Sequence, residues 1–228
     1  MIHVKFGIQD KMNFIYYIVV TLLSFSSSIV LADWPQFLGP ERNGSQKKAV
    51  VPLTFKGGEP FINWKHDIGF GFSGPVVSGR KVFIFHREQN KCVIESLDLN
   101  TGKLFWSFDY DTDYVDDFGF DKGPRAVPLI KENKIYTYGA EGMLHALDLE
   151  TGKLIWKKNL RDEHGATKGF FGRACSPIII DDTLIIQAGG KGCGILGLNP
   201  KTGKIRWKLS DHEAGYASPV ATIIKNQK

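Results

Sequence analysis

The sequence predicts an all-β fold, a β-propeller of four-stranded antiparallel blades that stops short of a full ring, with about three blades plus parts of others. Three observations carry that prediction. One phrase occurs three times, as Ser96–Trp106, Ala146–Trp156 and Gly197–Trp207. The tryptophans that end the copies lie 50 and 51 residues apart, a period that fits a propeller blade. Between the copies, short apolar runs separated by polar turns count to four strands per repeat.

The strands are assigned in chain order. An inner strand opens each repeat at Ser73-Gly74-Pro75-Val76-Val77, at Arg125-Ala126-Val127-Pro128-Leu129-Ile130 and at Cys175-Ser176-Pro177-Ile178-Ile179-Ile180. Second strands follow at Lys81–Phe85, Lys134–Tyr138 and Thr183–Ile186, after polar turns such as Ser78-Gly79-Arg80. The third strand carries Leu-Asp-Leu or its variant, and a Thr-Gly turn joins it to an outer strand that holds the tryptophan. Blades are thus expected over residues 73–108, 125–160 and 174–209. Gly102, Gly152 and Gly203 supply the positive φ that a turn followed by a bulge requires. Asp98 and Asp148 are placed to accept hydrogen bonds from turn amides. Trp106, Trp156 and Trp207 are read as packing residues, each ring filling the gap to the neighbouring blade while its N–H finds a carbonyl.

These residues resemble the tryptophan-docking motif of the PQQ-like β-propeller repeat, approximately A-x-D-x-x-T-G-x-x-x-W. Ala146, Asp148, Thr151, Gly152 and Trp156 match throughout; the first copy has Ser96 for the Ala, and the third has Gly197 and Asn199 for the Ala and Asp. Asp33-Trp34-Pro35-Gln36-Phe37-Leu38-Gly39-Pro40, with Asn43-Gly44, also looks like the mature start of exported bacterial members. The resemblance runs from Asp33 to the C-terminus and implies the fold more strongly than any activity.

Three repeats do not close a propeller, which typically has about 4 to 8 blades. A further blade starts at residues 217–224, and Asn63-Trp64-Lys65 looks like an outer strand completing a last blade. The expected reading is a piece of a longer protein with unpaired edges; the competing one is a self-associating half-propeller. Residues 1–32 read as a secretory signal, with Lys5 and Lys11 ahead of the apolar run Phe14–Ala32, and a retained anchor is the alternative. No Cys stands at the junction for the lipid attachment of assembly-lipoprotein relatives. Residues 33–228 form the partial propeller, expected to be exported to the periplasm or secreted, with no stable membrane span once the signal is removed.

Of the 228 residues, 43% are hydrophobic and 12% aromatic, a folding composition. The net charge of +5 comes from lysines scattered through turns, which disfavours nucleic acid, whose footprint is a clustered basic stripe. Cys92 and Cys193 occupy equivalent places in non-adjacent blades, so they are expected not to pair. Cys175 and Cys193 stand two strands apart, about 9.5 Å, beyond the usual disulfide reach. Free, mostly buried thiols are expected, with a strand-end Cys175–Cys193 bridge as the alternative.

Motifs for chemistry are sparse. Asp109-Tyr110-Asp111-Thr112-Asp113 begins like a calcium loop but has Tyr114 and Phe120 where that loop needs Gly and Glu, so an exposed acidic loop is expected. Gly189–Gly194 lacks the Lys-Ser/Thr ending of a phosphate-binding loop and is read as a hairpin turn. His86 and His145 fall in strands, while His66, His164 and His212 fall in connections; no metal site is assigned. Phe72, Phe120, Phe171 and Tyr216 come shortly before inner strands, as do Arg125 and Arg173. Phe72, Arg125, Phe171, Arg173 and Tyr216 are therefore the candidate ligand-binding residues at a channel mouth. The competing reading has the aromatics plugging the channel and the arginines paired with Asp in the same loops.

Two functions remain. One is an exported, non-catalytic scaffold that binds a protein or peptide partner, with no catalytic residue and no cofactor assigned. The other is a fragment of a PQQ-dependent alcohol dehydrogenase, in which the resemblance implies PQQ between a tryptophan and a disulfide of adjacent cysteines, with calcium and an aspartate base. None of the three cysteines are adjacent, which favours the scaffold.

Overall fold

A computed structural model describes residues 33–46 and 57–222. The expected signal segment, residues 1–32, and the final residues of the expected further blade, 223 and 224, lie outside the described residues. Three four-stranded antiparallel sheets follow one another. Blade 1 comprises β1 (Val76–Ser78), β2 (Lys81–Glu88), β3 (Lys91–Asp98) and β4 (Leu104–Asp111). Blade 2 comprises β5 (Leu129–Lys131), β6 (Lys134–Tyr138), β7 (Met143–Asp148) and β8 (Leu154–Asn159). After a short helix, α1 (Leu160–His164), blade 3 comprises β9 (Ile178–Ile180), β10 (Thr183–Gln187), β11 (Ile195–Leu198) and β12 (Ile205–Leu209). Strand order in each sheet is chain order, and the described blades form an open arc of a propeller.

Every inner strand is three residues long and shorter than the apolar run suggests. Pro75, Pro128 or Pro177 stands just ahead and has no N–H for the ladder, so pairing begins after it. The sequence Asp109-Tyr110-Asp111, expected in a loop, is instead the end of β4. Its alternation suits a strand, with both carboxylates outward and the tyrosine inward, and Lys91 from the neighbouring strand meets Asp109 at 2.5 Å. His164, expected in a connection, closes α1, whose cap is the Asn159 side chain accepting from the Asp162 amide.

Hydrophobic burial lies between sheets. Phe83, Phe85 and Ile94 of blade 1 meet Ile135 and Leu147 of blade 2 in one cluster. Tyr136, Tyr138, Leu144 and Ala146 of blade 2 meet Leu184, Ile186 and Leu196 of blade 3 in another. The middle blade buries both faces, which is why β6 and β7 read as nearly continuous apolar runs. Each fully buried aliphatic side chain there contributes about 1.5–3 kcal/mol.

The repeated phrase forms the joints. In its third-to-outer-strand turn, the Asp98 carboxylate accepts from the amides of Asn100 and Thr101 at 3.0 and 2.9 Å. Asp148 does the same for Glu150 and Thr151, and Asn199 for Lys201 and Thr202, because an amide oxygen accepts as a carboxylate does. Gly102, Gly152 and Gly203 follow with φ of 70°, 70° and 69°, and the ladder shifts register just before each turn. Gly152 and Gly203 also receive the tryptophan of the preceding blade. A Cβ on Gly152 would stand 2.5 Å from the Trp106 ring, and one on Gly203 would stand 2.8 Å from the Trp156 ring. The indole N–H groups donate to the carbonyls of Leu149 (3.2 Å) and Pro200 (2.9 Å).

Trp64 docks in the same way on Gly102, donating to Leu99 O at 2.9 Å. Residues 63–65 are not in a strand, since among the described residues no sheet precedes them. Near this segment His66 and His86 both approach Glu95 Oε2, at 2.7 and 3.2 Å. Trp207 departs from the expected docking role. No following turn is present among the described residues, and the ring lies 40% exposed against Gly197 of its own sheet.

Candidate functional site: an aromatic rim at the mouth

Because strand direction alternates, the starts of the inner strands and the connections leaving β4 and β8 lie at one end of the blades, the mouth. The turns bearing Gly102, Gly152 and Gly203 lie at the other. Three connections meet at the mouth, and their sequences are rich in Phe, Asp and Gly. Asp116 organises the first of them. Its carboxylate accepts from the amides of Phe118 (2.9 Å), Phe120 (3.1 Å) and Asp121 (2.8 Å), and pairs with Arg125 at 2.9 Å. Desolvation pushes this carboxyl up, but the amide donors outweigh it and hold it below the ordinary carboxylate range.

The ordered loop presents its phenyl rings outward. Phe118 stacks on Phe120 (centroids 5.8 Å apart) and meets Phe171 (5.4 Å) and Phe170 (5.8 Å); Phe171 in turn meets Tyr216 (5.7 Å). The Arg125 guanidinium lies over the rings of Phe72 and Phe171, 5.2 and 5.7 Å from their centroids. Phe120 is 76% exposed and Phe72 is 68% exposed. Exposed aromatic groups on this scale mark interaction surfaces. Beside the rim, a cleft of about 370 Å³ is lined by Asp113, Tyr114, Glu141, Arg161, Lys168 and Arg173, among others. Burial holds the Glu141 carboxyl above its ordinary range, although Tyr110 donates a hydrogen bond to it at 2.8 Å.

Four of the five residues expected at the mouth, Phe72, Arg125, Phe171 and Tyr216, are thus brought together. Arg173 is not with them. It is 1% exposed and donates to the backbone carbonyls of Glu141 (2.9 Å), Ala188 (3.3 Å) and Ala166. Its sequence position resembles that of Arg125, but among the described residues no carboxylate pairs with it, and it turns inward to loop carbonyls. Phe118, Phe170 and Asp116 complete the rim and were not singled out in the sequence. Phe118-Gly119-Phe120 and Phe170-Phe171 inside Asp/Gly-rich connections were the available signal, because large aromatics are unusual in solvated turns.

A second feature of the mouth joins the blades. Ser73 Oγ donates to Ala126 O (3.0 Å), Ser176 Oγ accepts from Val127 N (2.9 Å), and Ser218 Oγ accepts from Ser176 N (2.9 Å). This belt links the starts of the three inner strands to the start of the next repeat.

Comparison with known proteins places this architecture. A family profile described as outer membrane protein assembly factor BamB matches residues 89–228, more than half of the chain. The chain belongs to the BamB family. A quinohemoprotein alcohol dehydrogenase from Comamonas testosteroni is similar in structure, with a TM-score of 0.58 and 22% identity over 81% of this chain and 28% of that one. BamB from Moraxella catarrhalis is also similar, with a TM-score of 0.41 and 22% identity over 62% of this chain and 35% of that one. The chain therefore spans well under half the length of either protein. No curated protein sequence matches it significantly. The likeness to the alcohol dehydrogenase shows the fold, that of a β-propeller.

The cofactor suggested by the dehydrogenase likeness can be tested against the residues of this BamB-family chain. Trp64, Trp106 and Trp156 are engaged at the blade joints, away from the mouth. Cys92, Cys175 and Cys193 are separate buried thiols, and burial pushes Cys92 up to about 12 and Cys175 up to about 11. Among the described residues no three His, Cys, Asp or Glu side chains converge to hold a cation. These described residues supply no cation-holding cluster and no bonded pair of thiols.

Proposed function

We propose that this chain belongs to an exported, non-catalytic propeller that acts as a binding or assembly scaffold and takes a protein or peptide partner on the aromatic rim. The observation that carries the reading is the Asp116-organised loop, whose carboxylate makes four polar contacts that hold Phe118 and Phe120 out to solvent. A loop of that construction is suited to a partner that removes the rings from water, each contributing about 1.5–3 kcal/mol on full burial. Phe72, Arg125, Phe171 and Tyr216 extend the same surface. Two further points support the reading: the matched family is described as an assembly factor, and the rim cations Arg125 and Lys168 are paired with Asp116 and Asp117, leaving an apolar surface. Export follows from residues 1–32 as read in the sequence, with maturation at or near Asp33.

The test places a photocrosslinking phenylalanine analogue at Phe120 in cells that export the protein. A discrete protein adduct that disappears with Phe118→Ser and Phe171→Ser is expected, and N-terminal sequencing of the exported material should begin at or near Asp33. No adduct at the rim, together with calcium-dependent dye reduction when the purified protein is given PQQ and alcohols, would overturn the scaffold reading.

A further inference from the structure

Residues 33–44 lie across the axial side of the inner strands. Trp34 and Val77 exchange both backbone hydrogen bonds at 2.9 Å, so the axial edge of β1 is already paired. One residue on, Pro35 O accepts from the Ile130 amide of β5 at 2.7 Å. At the far end the Arg42 guanidinium, 5% exposed as a residue, donates to Ser176 O (2.8 Å), Pro177 O (3.1 Å) and Pro219 O (2.7 Å). Blade 1, blade 2, blade 3 and the start of the next repeat are thus touched in order.

The segment between these contacts is internally fixed. A Cβ on Gly39, at φ 79°, would meet the Trp34 ring at 2.7 Å, so the indole lies on a residue without a side chain. Gln36 donates to Pro40 O (3.0 Å) and accepts from Arg42 Nη1 (3.3 Å). Gly44, at φ 75°, donates from its amide to Leu38 O at 2.8 Å. Left-handed residues at Leu38, Gly39, Arg42 and Gly44 coil the chain tightly enough to bring Arg42 under the third blade.

We propose that residues 33–44 form a clasp that holds the inner strands of blades 1, 2 and 3 and the start of the next repeat as one cooperative unit. Among the described residues the clasp has no sheet partner beyond Val77, and its contacts are made to backbone atoms at fixed places in different blades. Its two ends therefore stabilise one another only through the blades and its own coil. Loss of the Arg42 contacts should then be felt at Val77, two blades away, which a local role for Arg42 would not produce.

The experiment is residue-resolved amide hydrogen exchange on the full chain with Arg42→Ala. The Val77 and Ile130 amides should exchange at least about ten-fold faster than in the parent, while the Ile94 amide of β3 keeps its protection. Arg42→Lys should not restore protection, because one ammonium cannot span three carbonyls. If Arg42→Ala fails to fold, Gln36→Ala is read in its place, with faster exchange expected at Val77 and Ile130. Unchanged exchange at both amides, or acceleration confined to residues 40–44, would overturn the clasp.

Discussion

Replacing Trp156 by alanine should remove the joint between blades 2 and 3. The ring is partly buried against the second cluster, lies 6.1 Å from Tyr136 by centroids, covers Gly203 and donates to Pro200 O at 2.9 Å. A fully buried Trp→Ala change costs about 3–5 kcal/mol; this ring keeps one side toward solvent, so about 3 kcal/mol is expected. Trp156→Phe keeps most of the apolar contact and loses the N–H donor, which sets its cost near 1 kcal/mol. Trp207 holds the same place in its repeat but is 40% exposed with no docking turn, and Trp207→Ala should cost under about 1 kcal/mol. Urea and thermal denaturation read all three, and 3 kcal/mol corresponds to a fall in Tm of about 6–12 °C at this chain length. Equal losses for Trp156→Ala and Trp207→Ala would refute the reasoning, because they would show that the motif residue matters irrespective of what it docks on.

Two buried ionisable groups give opposite pH dependences. His145, against the rings of Phe108 and Tyr110, is pushed by burial, with a smaller push from Lys157, down to about 4 from an ordinary 6.5. Unfolding then takes up a proton between those values, so its stabilising effect is full above pH 6.5 and is lost as pH falls toward 4, by up to about 3 kcal/mol. Denaturation midpoints of His145→Phe should lack that slope, and a parallel loss in both proteins would exclude His145 as its source. Glu141, held up by burial from an ordinary 4.5, keeps its proton to higher pH in the folded state than in the unfolded one, so its effect has the reverse sign: stability is full below pH 4.5 and falls as pH rises through its folded value. Glu141→Gln should flatten the fall that begins above pH 4.5, and a variant less stable than the parent at pH 8 would show that the ionised carboxylate is needed there.

The blades were legible in the sequence because the determinants are local. Alternation, a Thr-Gly turn and a repeated tryptophan lie within a few residues of one another, and the Asn199 substitution preserves the acceptor that matters. What was not legible depends on which group finds a partner across the fold. Arg125 and Arg173 look alike in sequence, yet one meets Asp116 and the other meets only carbonyls. Asp109 and Asp111 were read by their charge, whereas their spacing about Tyr110 placed them in β4. Trp34-Pro35-Gln36 carried a family likeness but no periodicity, so its path across the inner strands had no local signature. The outcome for Trp207 rests on whether a neighbouring turn is present.

The joints between blades carry a mechanical consequence. Between blades 1 and 2 the Ser73 link sits on the inner strand at the mouth, whereas the Trp106 dock sits on the outer strand at the opposite end. Two fastenings at diagonal corners of a panel resist both swinging about the axis and tilting along it, which neither could do alone. The angle between adjacent sheets is thereby locked without a closed circle to enforce it, so an arc of blades can keep its curvature as a stiff segment.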